Sequence, residues 1–158
     1  MKLRKPLSSI SLGVIATAAI AMPYLATLSA QAVALSDDGT QASLDFQFNL
    51  DRPELNKELG IVNLFSAKGA QVLNFRLQTV DSTKYSDSAA VITGTGIVRN
   101  FRGMSFKSNF TLHITDSEEA ELGSSDLFAM ELHKYPGGPL LFNGKVFKGD
   151  IDLAINQK

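Results

Sequence analysis

The sequence contains no cysteine and no tryptophan among its 158 residues, and it has only two histidines, His113 and His133. The lack of cysteine excludes disulfides, a zinc site built on thiolates and the lipid-modified cysteine of a bacterial lipoprotein. Two histidines are too few for a histidine-rich metal cluster. With ten phenylalanines and no tryptophan, the aromatic content fits a β core better than a surface that stacks sugars or bases.

The N-terminal region has few charges, and no charged residue occurs between Lys5 and Asp37. A basic start, an apolar run over residues 10–21 and a stretch of small residues follow one another. This order is typical of a secretory signal peptide. We therefore expect residues 1–32 to form a leader that directs the protein to the periplasm or the medium.

The expected cleavage follows Ala32 or Ala34, because A-x-A patterns occupy 30–32 and 32–34. The alternative is an uncleaved anchor, for which about 20 apolar residues suffice. Only in that case does the sequence predict attachment to a membrane.

Residues 33–158 have the usual length of one domain and can bury a core without disulfides. Removal of the three basic residues of the leader leaves 12 Lys and Arg against 16 Asp and Glu, a net charge of −4. A mildly acidic chain with scattered lysines is a poor candidate for a nucleic-acid partner, and we expect none.

Alternating apolar and polar residues predict β-strands along this domain. Residues 42–50 and 104–114 alternate most regularly, and further β-rich runs cover 60–67, 71–80, 89–98, 127–134, 139–147 and 150–155. In the run over 89–98, Gly94 and Gly96 share one face, which indicates a bulge or the close approach of another backbone. A helix is expected only locally, around 53–59.

Short strands at a spacing of roughly 8–12 residues, without a long helical pattern, are typical of antiparallel β domains. The predicted fold is all-β, a single antiparallel β-sandwich or flattened barrel of about seven to eight strands. The pattern leaves the choice between sandwich and barrel open.

A T-G-T-G strand is followed by an alternating strand with two phenylalanines that ends in Thr-Asp, by an Asp-x-Phe strand and by glycine turns. The residues that carry these features are Thr93, Gly94, Thr95, Gly96, Phe106, Phe110, Thr115, Asp116, Asp126, Phe128, Gly137, Gly138 and Gly149. On these residues, the region from about residue 60 to 155 resembles the post-choice-of-anchor modules, β-rich units of exported bacterial proteins. The resemblance implies an extracellular β module and assigns no catalytic residues.

The one local cluster with site-like chemistry is an acidic loop. Its five carboxylates belong to Asp116, Glu118, Glu119, Glu121 and Asp126. Calcium takes six to eight hard oxygen ligands, so this loop is a candidate calcium site, although the spacing of an EF-hand is absent. The competing interpretation is a solvated hairpin loop whose charges deter pairing between sheet edges.

His113 and His133 lie on polar strand faces and would form a cluster with Glu131 if their strands pair suitably. Exposed surface histidines are the competing interpretation. The G-x-S-x-G phrase of serine hydrolases is missing, and no catalytic residue is predicted.

The sequence favours a non-enzymatic module, structural, adhesive or partner-binding, whose partner is an unknown protein, glycan or surface. The first alternative is a carrier of a small apolar ligand, held among the phenylalanines of the inner strand faces. These are Phe46, Phe48, Phe75, Phe106, Phe110 and Phe128. An exported hydrolase is the second alternative. No cofactor is expected apart from the calcium hypothesis.

Overall fold

The computed structural model describes residues 26–117 and 125–155. Its strands, in chain order, are β1 (Ala26–Ser36), β2 (Gln41–Asn49), β3 (Gly60–Phe65), β4 (Gln71–Tyr85), β5 (Ala89–Asn100), β6 (Ser105–Thr115), β7 (Leu127–Leu132) and β8 (Leu140–Ile155). The expected local helix is a single 3-10 turn, Pro53–Leu55. Among the described residues, no helix has the length and apolarity needed to cross a bilayer.

The eight strands form a closed barrel in which each strand pairs with its neighbour in the sequence. Every pairing is antiparallel, and β1 closes the barrel by pairing with β8. The all-β prediction is confirmed, and the open choice between sandwich and barrel is decided in favour of the barrel. The two last predicted segments, 139–147 and 150–155, belong to the single strand β8, which is bulged opposite Val33 and Ala34.

Strand β1 occupies residues that the sequence assigned to the leader. Leu28, Ala30, Ala32 and Ala34 alternate inward and are almost completely buried, because small side chains at every second position suit a narrow barrel interior. The backbone of β1 pairs with β2 along one edge and with β8 along the other, where the register shifts between Val33 and Ala34. Residues 1–25, which hold the rest of the expected leader, lie outside the described residues.

The barrel interior is filled by aromatic and aliphatic side chains. The Phe46 ring of β2 lies 6.1 Å from the Phe128 ring of β7, measured between centroids, although these strands are not neighbours. Phe142 of β8 lies 6.0 Å from the same Phe128 ring. Rings from separate walls of the barrel therefore meet in its centre, and the core is closely packed.

The glycine pair of β5 provides room for two further rings, those of Phe110 and Phe75. A Cβ atom at Gly94 would lie 2.8 Å from the Phe110 ring, and one at Gly96 would lie 2.6 Å from the Phe75 ring. The same positions face backbone carbonyls of β4, which is bulged here. The predicted close approach and bulge are both confirmed.

The two ends of the barrel differ in their connections. The turns at 37–40, 66–70, 101–104 and 133–139 meet at one end, which we call the hairpin end. The connections at 50–59 and 86–88, the connection from β6 to β7 and the first residue of β1 lie at the other end, which we call the loop end.

The position of β1 predicts where a leader is cut. Cleavage after Ala32 would leave only residues 33–36 of β1 to close the barrel, and long stretches of β2 and β8 would become unpaired edges. We therefore expect any cleavage of a leader to occur before Ala26, as measured by the intact mass of the mature protein. A mass that begins at Val33 or Leu35, for a chain that still unfolds cooperatively, would contradict this.

The glycine pair predicts an unusually sensitive position on β5. Gly94→Ala should lower the free energy of unfolding by about 3 kcal/mol, because the added methyl group overpacks a filled interior. The control Thr95→Ala, on the outer face between the two glycines, should cost less than about 1 kcal/mol. Urea denaturation measures both variants, and equal losses would show that the interior has room to spare.

Candidate functional site

The structure gives Asp116 and Asp126 of the acidic loop a role in closing the barrel. Asp126 is only 9% exposed, and its two carboxylate oxygens accept hydrogen bonds from the backbone N–H groups of Ser117 (2.9 Å) and Ile151 (3.1 Å). A carboxylate oxygen of Asp116 accepts from the N–H of Leu153 at 2.8 Å. Since β7 begins only at Leu127, these carboxylates satisfy the part of β8 that extends beyond it.

The remaining acidic candidates, Glu118, Glu119 and Glu121, lie outside the described residues. Within residues 26–117 and 125–155, no group of three or more His, Asp or Glu side chains is arranged to hold a metal ion. Calcium binding by the loop stays a prediction, and two of its five proposed ligands already hold backbone groups of β8.

A third carboxylate joins strands at the same end. Asp51 accepts a hydrogen bond of 2.6 Å from the backbone N–H of Ala26, and the Tyr85 hydroxyl donates to its other oxygen. This hydrogen bond raises the pKa of Tyr85 above its ordinary value, because it stabilises the protonated phenol. The acidic loop end is therefore tied together by its own carboxylates.

The two histidines do not form a cluster. Their strands do pair, but His113 lies opposite Ala129, whereas the backbone N–H of His133 donates to the carbonyl of Asn109. Four residues of β6 separate these positions, a distance of about 13 Å along an extended strand. His133 instead places Nε2 at 2.9 Å from the Thr111 hydroxyl. The conditional cluster does not form, and both histidines are exposed, in agreement with the competing interpretation.

Formal charges are divided between the two ends of the barrel. In the described part of the chain, the hairpin end holds more basic side chains than acidic ones. The basic residues are Lys68, Arg76, Arg99, Arg102, Lys107, Lys134 and Lys145, and the acidic ones are Asp37, Asp38, Asp45 and Glu131. The loop end holds mostly acidic ones, at Asp51, Glu54, Glu58, Asp81, Asp87, Asp116, Asp126, Asp150 and Asp152, against Arg52, Lys57 and Lys84. A negatively charged partner is thus attracted to the hairpin end.

Antiparallel register brings the basic side chains together on one outer wall. Arg76 of β4 and Lys107 of β6 both lie opposite Ile97 of β5, so their Cα atoms are about 10 Å apart. Arg99 follows two residues further along β5, and Arg102 lies in the adjoining turn. We call these four residues, Arg76, Arg99, Arg102 and Lys107, the basic face.

Among the described residues, no acidic side chain forms an ion pair with the basic face. In the described ranges the ion pair is the exposed contact Arg52–Glu54, at 2.8 Å and at the other end of the barrel. The side chains of Arg76, Arg99 and Lys107 make no hydrogen bond or ion pair with described residues. Their donors are free to bind an anion, and guanidinium groups suit the paired oxygens of phosphate, sulfate and carboxylate.

An open depression of about 500 Å³ lies on the same wall. Arg76 and Arg99 line it together with Asn74 and Phe101. Asn74 donates from its side-chain amide to Asn63 at 2.7 Å, which fixes the floor of the depression. The basic face therefore combines a preformed shape with unpaired positive charge.

Sequence reasoning missed the basic face, because its members come from three strands and a turn and show no motif. The usable signal was the turn at 101–104, F-R-G-M, where an aromatic and a basic residue occupy positions that turns usually fill with small polar residues.

Comparison of the chain with protein-family models, curated proteins and solved structures found no match. The resemblance to post-choice-of-anchor modules consequently stays a prediction that rests on the residues quoted for it.

The carboxylates that close the barrel predict a stability effect. Asp126→Asn should lower the free energy of unfolding by about 2 to 3 kcal/mol, because an amide group offers one acceptor oxygen where two backbone N–H groups donate. Asp87→Asn, in the exposed turn between β4 and β5, is the matched control and should change stability by less than about 0.5 kcal/mol. Chemical denaturation with and without EDTA measures both, and a large effect of EDTA on the native protein would show that the loop holds a metal instead.

Proposed function

We propose that this protein is a non-enzymatic binding module of the periplasm or the extracellular space, whose basic face takes a negatively charged partner. The observation that carries the proposal is the contrast between the two ends of the barrel. Asp51, Asp116 and Asp126 of the loop end are used by the fold. Arg76, Arg99 and Lys107 are not, and like charges gathered without counterions weaken a fold rather than support it.

The carrier alternative has less support. An apolar ligand needs an enclosed cavity, usually of at least about 300 Å³, but rings from opposite walls occupy the centre of the barrel. A groove of about 700 Å³ does lie beside Leu35, Leu64 and Phe142, but polar and charged residues, among them Asp37 and Asp38, line it as well. That groove opens to solvent at the hairpin end, where it would not hide a ligand from water.

Binding is also better supported than hydrolysis. The described histidines lie apart, and Asp116 and Asp126 are occupied by backbone groups of β8. A catalytic site needs such groups converging on one cleft. The basic face offers guanidinium and ammonium groups, which bind the oxygens of anions.

The proposal predicts charge-selective and position-selective binding to heparin, a soluble sulfated polysaccharide used as the probe. The double variant Arg76→Gln/Arg99→Gln should weaken binding at low salt by about tenfold or more, because two charge-assisted contacts are lost. The double variant Lys57→Gln/Lys84→Gln removes the same charge from the loop end and should keep the affinity within about twofold. Fluorescence anisotropy over a salt series measures both.

The slope of log affinity against log salt should also become shallower in the arginine variant alone. Equal losses in the two double variants would mean that heparin responds to net charge and not to the basic face. An absence of binding by the native protein would overturn the proposal.

A further inference from the structure

The hairpin end carries an exposed apolar tip beside the basic face. Phe101 is 68% exposed and Met104 is 48% exposed, and both belong to the turn that joins β5 to β6. Arg102 lies between them in the sequence, with its Cζ atom 5.4 Å from the centroid of the Phe101 ring. Together, Phe101 and Met104 form a small apolar surface in one turn that a partner can cover.

This turn is held rigidly. The side-chain oxygen of Asn100, a residue only 8% exposed, accepts hydrogen bonds of 3.0 Å from the backbone N–H groups of Arg102 and Met104. The N–H of Phe101 donates to the carbonyl of Val72 at 3.0 Å, and Gly103 adopts the positive φ of 79° that completes the turn. The exposure of Phe101 is therefore built into the backbone and is not the result of a loose loop.

The apolar tip and the basic face together match the chemistry of a lipid surface. Apolar side chains reach past the headgroups to the acyl boundary, while arginine and lysine remain at the level of the phosphates. Basic residues near an anionic leaflet add electrostatic attraction that falls off within a Debye length. A soluble polyanion needs only the cations, and it offers no apolar environment for Phe101 and Met104.

The charge separation of the barrel orients such a contact. The acidic loop end is repelled by an anionic surface and the hairpin end is attracted, so the barrel approaches with the turn at 101–104 in front. Ala26 lies at the loop end, so the described chain begins on the side that faces away from this surface.

We propose that the hairpin end binds the surface of an anionic lipid bilayer, with Phe101 and Met104 inserted at the interface and the basic face on the lipid phosphates. This inference rests on the proposed function, because it names the anionic partner of the same face. The lipid inference additionally requires that the apolar tip, Phe101 and Met104, becomes buried in the bilayer interface.

The absence of tryptophan from the chain allows a direct test. Phe101→Trp introduces a single tryptophan at the tip, and Phe147→Trp introduces one on β8, at a site of similar exposure (57%). With vesicles of phosphatidylcholine and phosphatidylglycerol, we expect a blue shift and quenching by brominated acyl chains for Phe101→Trp and neither for Phe147→Trp. The apolar run at 10–21 is present in both full-length variants, so it does not distinguish them.

Co-sedimentation with the same vesicles measures how strongly the protein binds them. Phe101→Ser/Met104→Ser should lower the partition coefficient by about tenfold or more, because the buried apolar area is lost. Phe147→Ser, the matched control, should stay within about twofold of the native protein. Vesicles of phosphatidylcholine alone should bind weakly, since they lack the anionic headgroup.

The outcomes separate the two proposals. Heparin binding without a blue shift at position 101 would overturn the lipid inference and leave the anionic partner standing as a soluble polymer. Equal shifts at positions 101 and 147, or equal binding to vesicles without phosphatidylglycerol, would also overturn it. Failure to bind either heparin or vesicles would overturn both.

Discussion

The structure depends on the pairing of β1 with β8, because this pairing turns a row of hairpins into a closed barrel. Closure removes the two free edges that an eight-strand antiparallel sheet would otherwise expose. It also explains the alanines of β1, whose small side chains leave the centre of the barrel to the phenylalanines of β2, β7 and β8. Where β8 runs past β7 and no strand is available, carboxylates of Asp116 and Asp126 complete the closure.

Local pattern was sufficient to predict most of the fold. The alternation in β2 and β6 and the glycine pair of β5 depend on contacts close to each strand, and the predictions made from them are confirmed. β1 was missed because an alternation of alanine with small polar residues also satisfies the pattern of a signal-peptide cleavage site. The same small side chains fit a signal-peptide cleavage site and a buried strand face, and only the pairing of β1 with β2 and β8 distinguishes the two.

The candidate sites were harder to predict, because a carboxylate or a histidine has the same appearance in a sequence whatever it contacts. Asp126 appeared as one ligand of an acidic loop, yet its oxygens hold backbone groups from Ser117 and from Ile151, a residue far away in the chain. His113 and His133 depended on a register that no local pattern determines. Arg76, Arg99 and Lys107 became one surface only through the pairing of three strands.

Charged side chains have different roles at the two ends of the barrel. At the loop end, negative charge satisfies backbone N–H groups, so Asp51, Asp116 and Asp126 are explained by the fold. At the hairpin end, the turn is held by the buried Asn100 side chain, which carries no charge, and Arg76, Arg99 and Lys107 take no part in these hydrogen bonds. A lipid surface, the partner that we propose, would supply both negative charge for these cations and an apolar environment for Phe101.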